Sequence, residues 1–528
     1  MKTKSLIYNA RIYTQAEGVS ADSLAFNRGR IVAVGKRLQH DPEFAGYEKI
    51  DLNRRTVVPG LVDAHTHFFY FARSLSMVSL HGLTSVDACL KKIAAHAAKL
   101  KKGDWVVGEG YGPNWFVDNV QPDRYMLDSV TGGRPAFIFS KDEHSAWVNS
   151  RALNKANIGP RSLDPKGGRI ERDSQGVPTG ILRERPGYDP VYGMIPPLSE
   201  SRIRRYWKQA LEYAYSKGVT GVHSFDGPEG FEWFADLAEK DKLGLRINFY
   251  PTADLAENVV RQGVRYGAGN DWLRIAGIKV FADGSLGSIT ALCFDSYAGR
   301  PGDYGIEVTG VREIAGIARL AAKAGLPLAV HAIGDKAVSN VLEALESVPP
   351  LSNGARHRIE HIQLVRRKDI ARIKRLGVVL SMQPCHFPLD ITPIRKYWGN
   401  RSRNAYIIRT FLDKGLDMAF GSDVPIEPLD PITGIAAAVR RVRPGTSDCL
   451  HPEQRITAAE GVRAFTVGAA VAAGQAHERG YLLPGYPADF VVLSDDITKV
   501  AVTRIGQVRP LATVLDGKVK YSTDELHL

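Results

Sequence analysis

Cysteine is scarce in this chain, with only Cys89, Cys293, Cys385 and Cys449 among 528 residues. They lie far apart and form no Cys-x-x-Cys pair, which excludes a zinc ribbon or a disulfide framework and suits a reducing compartment. Long apolar runs are missing too. Nothing reaches the roughly 18 apolar residues of a membrane-spanning helix. Met1 to Thr14 reads as the start of a β-strand, with neither a signal-peptide core nor a cleavage site. A soluble cytoplasmic protein without a membrane partner is expected. Internal repeats and low-complexity tracts are also lacking.

The positive charge has no focus. The net charge is +12, yet the basic residues come in small scattered groups such as Arg202, Arg204 and Arg205, or Arg440, Arg441 and Arg443. No recognised binding module accompanies them, so nucleic acid is not an expected partner. Hydrophobic content of 44% and charged content of 24% are those of a folded protein. The length predicts roughly two to four domains.

Both ends of the chain carry short β-rich runs between turns. Near the N-terminus these are Leu6 to Tyr13, Ser23 to Asn27, Arg30 to Val34 and Thr56 to Val58. Near the C-terminus they are Ala488 to Leu493, Ala512 to Leu515 and, after the Asp516-Gly517 turn, Lys518 to Tyr521. Two half-sets of strands predict one composite β-sandwich from residues 1–57 and 478–528.

From about residue 205 helical segments alternate with short apolar strands, the pattern of repeated βα units. Starting at Leu61 to His67, the strands continue at Val219 to Ser224, Leu245 to Tyr250, Ala276 to Phe281, Leu328 to His331, Arg358 to His361, Val378 to Met382 and Met418 to Gly421. Helices such as Val311 to Ala324, Asp335 to Glu346 and Lys368 to Leu376 fall between them. The fold class predicted is α/β, with a TIM-type (β/α)8 barrel over residues 58–74 and 205–477 and its active site at the C-terminal strand ends. Residues 75–204 are too many for a βα connection. They are expected to form an α+β insertion that caps the substrate, with an amphipathic helix from Val86 to Leu100.

The predicted strand ends carry chemistry. The first ends in Val62-Asp63-Ala64-His65-Thr66-His67, and residues two apart on a strand share a face, so His65 and His67 offer two imidazoles to one point. Later strands bring Lys279, His331, His361 and Asp423. One such histidine alone is usually a hydrogen-bonded core residue, and an Asp after Gly-Ser is usually a turn or cap. Their joint placement at barrel strand ends points to a metal site.

This set resembles the amidohydrolase superfamily of metal-dependent hydrolases. The flanking strings Asp283-Gly284-Ser285-Leu286-Gly287-Ser288 and Val330-His331-Ala332-Ile333-Gly334-Asp335 are similar to the branch that includes N-substituted formamide deformylase. The resemblance covers nearly the whole length. It implies that His65, His67 and Asp423 hold a first metal, that His331 and His361 hold a second, and that Lys279 is carboxylated and bridges them. A carbamate supplies anionic oxygens where an ammonium would repel a cation. An unmodified Lys279 would leave one metal or a weak second one. Imidazole and carboxylate suit zinc, with iron, manganese and cobalt as the other ions such ligands accept.

A cation of this kind makes hydroxide from water near neutral pH, without a serine or cysteine nucleophile. The expected reaction is attack on a small amide, with Asp423 as both ligand and proton shuttle to the departing amine. Expected substrate contacts are Trp115, His144 and Trp147 in the insertion, each of which reads equally as its core, together with His223, Asp283 and Gln383 near strand ends. His81, His357 and His386 find no partner in the sequence. The same scaffold also suits a deaminase or cyclic-amide hydrolase. A catalytically silent binding scaffold would have lost ligands, and none is missing. The expected partner is a small-molecule amide, with the chain acting alone or as a homodimer.

Overall fold

The computed structural model describes residues 1, 3–112, 120–141, 145–165, 168–183 and 185–526. Two parallel sheets organise the middle of the chain. The first runs in the order Leu273–Ile275, Arg246–Phe249, Val219–Ser224, Leu61–Thr66. The second runs Ile278–Phe281, Leu328–Ala332, Arg358–His361, Val379–Met382, Met418–Phe420. Val219–Ser224, Arg358–His361 and Val379–Met382 are buried at every position. Strands covered on both faces read as continuous apolar runs rather than alternating ones.

Helices return the chain between these strands. Val311–Ala322 precedes Leu328–Ala332, Asp335–Glu346 follows it, and Asp369–Leu376 ends at Gly377 in the left-handed conformation, φ 63°. Backbone contacts join the two sheets at both seams. At one, Thr66 bridges Val424 in parallel and the Asp423 N–H donates to the His65 carbonyl at 2.7 Å. At the other, Thr252 bridges Lys279 and the Lys279 N–H donates to Pro251 at 2.8 Å.

The strand expected over Ala276 to Phe281 differs. Leu273–Ile275 and Ile278–Phe281 lie in different sheets, with Ala276 and Gly277 between them. A Cβ on Gly277 would stand 2.6 Å from the Pro327 carbonyl oxygen and 2.9 Å from the Tyr250 ring, so only glycine allows the chain to pass there.

Two further sheets come from the ends of the chain. One runs Arg30–Gly35, Ser23–Asn27, Lys4–Tyr8, Glu48–Asp51, and the other Arg11–Ile12, Thr56–Pro59, Phe490–Leu493, Pro510–Leu515, Lys518–Ser522. Leu24, Phe26 and Ile31 of the first pack with Val57, Phe490, Val492 and Val514 of the second in one apolar core. Leu493 pairs with Thr56 and Phe490 with Pro59, so the two ends of the sequence share a ladder.

Residues Tyr70–Ala210 form a separate compact unit. Its sheet runs Arg169–Arg172, Pro178–Arg183, Ser145–Val148, Ala136–Ser140, Val106–Tyr111, Val78–Ser79. The expected helix forms over Val86–Ala97, capped by the Ser85 hydroxyl accepting from the Ala88 N–H, and stops three residues short of Leu100. Trp147 is fully buried in this unit's core with its indole N–H on the Asp123 carbonyl, so packing accounts for it and substrate contact does not. No helix among the described residues is long and apolar enough to cross a membrane.

Candidate metal centre

The ends of the parallel strands bring His65, His361 and Asp423 together, with one ligand atom from each lying within 4.8 Å of the others. The Nε2 atoms of His65 and of His67 each stand 3.5 Å from Asp423 Oδ1. The His331 and His361 rings are 4.4 Å apart between centroids, and those of His65 and His361 are 4.8 Å apart. His361 thus reaches the His65 and Asp423 group as well as His331. Its backbone is the reason. A regular strand would send Glu360 and His361 to opposite faces, but His361 and Ile362 take left-handed φ values of 67° and 42°, which break the alternation. Asp423 is left-handed as well, at 63°. Such conformations cost of order 1–3 kcal/mol each and persist where the surroundings impose them.

Close packing fixes His65. A Cβ on Gly421 would lie 2.5 Å from the His65 amide nitrogen, so glycine lets the two strand ends touch. Asp63 reinforces the contact, because its Oδ1 accepts from the His65 N–H at 3.2 Å and the Ser422 N–H at 2.9 Å. Burial and the neighbouring Asp423 charge push the Asp63 carboxyl up to about 7.

Burial favours the neutral, ligating form of His65, His331 and His361, whereas at His67 burial is outweighed by the hydrogen bond to Asp423, which raises the imidazole. Burial lowers His65 to about 4 and His331 to about 3, with the Lys279 charge adding to both shifts. Burial opposes ionisation of Asp423, but His65, His67 and His361 overcome it and hold the carboxyl well below its usual range. The same desolvation lowers Lys279 to about 8. Its Nζ sits 4.6 Å from the centre of the Phe225 ring and 4.7 Å from that of Phe281.

The donor set fits a divalent cation. Lys279 Nζ and His361 Nδ1 are buried without a hydrogen-bond partner, a costly state unless something else meets them. His331 Nε2 donates to the Gly284 carbonyl at 3.0 Å, which leaves its Nδ1 lone pair for a ligand. Two ligands about 2.0–2.1 Å from a tetrahedral ion stand roughly 3.4 Å apart. The two 3.5 Å histidine contacts to Asp423 match that spacing.

Other expected site residues fare differently. The Asp283 carboxylate accepts the backbone N–H groups of Leu292, Ile333 and Gly334 and so clamps the loop that receives His331, with Oδ1 3.6 Å from His331 Nε2. His223 takes a hydrogen bond from Arg358 on Nδ1 at 2.7 Å and lines a cavity of about 40 Å³ with Pro59, Gly60, Arg246 and Gln475. The His223 Nε2 is buried without a hydrogen-bond partner. Gln383 is buried with both amide atoms unpartnered. Trp115 and His144 lie outside the described residues.

Two features went unread in the sequence. His386 lies beside the centre, its Nε2 3.3 Å from the Ser422 carbonyl and 4.0 Å from Asp423 Oδ2, with its ring stacked on His361. Its place three residues after Gln383 was the available signal. Arg358 and Glu360 form a fully buried ion pair against His65, and the signal was their two-residue spacing beside His361.

Parallel strands ending in clustered histidines and an aspartate define the class of metal-dependent hydrolases. The sequence profile described as "Amidohydrolase family" matches residues 48–521. The chain belongs to that family. It is similar to the YtcJ protein of Bacillus subtilis (strain 168), 30% identical across 98% of this chain and 99% of that one. It is also similar to the N-substituted formamide deformylase of Arthrobacter pascens, 28% identical across 98% of each. Among solved structures it resembles an uncharacterized metal-dependent hydrolase from Pyrococcus furiosus, with a TM-score of 0.76 and 30% identity over 93% of this chain and 99% of that one.

Proposed function

We propose that this chain hydrolyses the carbon–nitrogen bond of a small amide, with N-substituted formamides as the leading substrates. The observation that carries the reading is the meeting of His65, His361 and Asp423 at the strand ends, with His67, His331 and Lys279 around them. The full-length likeness to the Arthrobacter deformylase supports the substrate class. The two parallel sheets are bridged at both seams and, with Leu273–Ile275 and Ile278–Phe281 counted as one interrupted strand, are read as one closed eight-stranded barrel.

In this reading His65, His67 and Asp423 hold one cation, and His331 and His361 hold a second. Zinc is the ion these donors suit best. Bound there, such a cation acidifies water and polarises a carbonyl. Lys279, as a carbamate, would supply anionic oxygens to both. Its lowered basicity leaves a neutral fraction of the amine near pH 8, and the neutral amine is the form that adds to carbon dioxide, releasing a proton. Asp423 takes the proton of the attacking water on its carboxylate and delivers it to the departing nitrogen. Gln383, with both amide atoms unpartnered, is the side chain that orients substrate. The four cysteines form no disulfide, in keeping with a cytoplasmic setting.

The test is a screen of N-formyl and N-acyl amines, lactams and aminated heterocycles with metal-loaded protein, reading released amine or ammonia. Amine release from N-formyl or N-acyl amines is expected. Ammonia released from heterocycles alone would replace the amide reading with a deaminase.

A further inference from the structure

Arg358 and Glu360 stand two apart on one strand, share a face, and are both fully buried. A buried ion pair is not a stability device by default, because desolvation offsets much of its attraction. Here its geometry is directed at one histidine. The guanidinium grips the Glu360 carboxylate from Nε to Oε1 and from Nη2 to Oε2, the latter at 3.0 Å. Nη2 also lies 2.7 Å from the Ala64 carbonyl and 2.8 Å from Ser381 Oγ, sharing its two hydrogens among three acceptors, and Nη1 reaches His223 Nδ1 at 2.7 Å and the Tyr250 hydroxyl at 3.2 Å. One cation therefore holds both the backbone just before His65 and the carboxylate against its ring.

Glu360 Oε2 lies 2.6 Å from His65 Nδ1. A guanidinium only donates, so the carboxylate it grips is an acceptor, and the hydrogen in this contact belongs to Nδ1. The lone pair of the neutral ring is then on Nε2, the atom facing Asp423. We infer that Arg358 and Glu360 are a positioning pair that fixes the Nδ1–H tautomer and ring plane of His65, so that Nε2 is presented to a cation before the cation arrives. This rests on the metal-centre reading above. It adds that affinity for the ion is set from the strand across the site, by residues that do not touch it.

Glu360→Gln tests the inference with little change of shape. Arg358 still requires an oxygen, so the amide oxygen turns to it and the NH₂ group faces His65. That arrangement needs a lone pair on Nδ1 and moves the ring hydrogen to Nε2, where it blocks ligation. Zinc affinity, measured by competition with a chromophoric chelator, is expected to fall about 10–100-fold. In ¹⁵N-histidine NMR of metal-free protein, the His65 signal, identified by its loss in His65→Gln, is expected to switch from the Nδ1–H to the Nε2–H pattern. Unchanged zinc affinity in Glu360→Gln overturns the inference while leaving the metal reading intact. A wild-type His65 in the Nε2–H form overturns it without any variant, so a poorly folding Glu360→Gln does not shelter it. Wild-type protein that binds no zinc at all removes both.

Discussion

Asp423 holds His65 twice, through its backbone N–H on the His65 carbonyl at 2.7 Å and through Oδ1 at 3.5 Å from the His65 Nε2. The first contact joins two strand ends, and the second sets the spacing of two ligands. Asp423→Asn keeps the shape and the backbone clasp but loses the base. We expect turnover of the best screened amide to fall about 10²–10⁴-fold with far-UV circular dichroism unchanged. A near wild-type rate in metal-replete Asp423→Asn would falsify the proton-transfer role.

Lys279 is the second test. Its Nζ is buried without a hydrogen-bond partner, which makes the ammonium costly, while the faces of Phe225 and Phe281 offset part of that cost. Metal-free protein reconstituted with zinc is expected to take up more metal when bicarbonate is present, and Lys279→Ala is expected to lose that response. Equal metal content with and without bicarbonate in the wild type would argue for an unmodified lysine.

The packing of Gly421 against His65 leaves no room for a side chain. Gly421→Ala forces the two strand ends apart or strains them, at a cost of about 1–3 kcal/mol. A lower thermal midpoint together with weaker zinc binding is the expected pair of results. A variant matching the wild type in both would mean that the contact relaxes freely.

His357 gives a pH dependence away from the centre. Its Nδ1 accepts the Leu328 N–H at 3.0 Å, which requires the unprotonated ring, and burial lowers it to about 4. An unfolded histidine titrates near 6.5. Between these values the unfolded chain binds a proton that the folded chain refuses, so stability is lost as pH falls from about 6.5 to 4. The ring is only partly buried, so the effect is roughly 1–3 kcal/mol at most. His357→Asn places an amide oxygen near the same N–H and does not titrate. Its thermal midpoint is expected to gain on the wild type between pH 7 and pH 4.5, and a gap constant with pH would exclude this account.

Much of the architecture is legible because strands buried on both faces leave mostly apolar runs, as in Leu328–Ala332 and Val379–Met382. Their ends are where His331 and Gln383 are found. What the sequence hides is anything that depends on a single backbone angle. Strict alternation on Arg358–His361 would turn His361 away from the face that carries Glu360, and nothing in those four letters announces the left-handed turn that directs both inward. Asp283 misleads for a related reason. A carboxylate near a predicted site looks available until the loop folds and three backbone amides claim it. His386 escapes notice because its partners, Asp423 and His361, come from other strands.

The ladder shared by the two ends of the chain bears on synthesis. The Tyr13 hydroxyl donates to Asp496, 483 positions later, and among the described residues Thr56–Pro59 pairs only with a strand near the end of the sequence and the short Arg11–Ile12 segment. The first strands leave the ribosome long before Phe490–Leu493 exists, with an apolar face and a sheet edge uncovered. Contacts this distant in sequence form late and leave such edges open to other chains. The vulnerable interval for aggregation therefore falls during translation, and slowing translation of the last segment is expected to lower the soluble yield more than slowing the first.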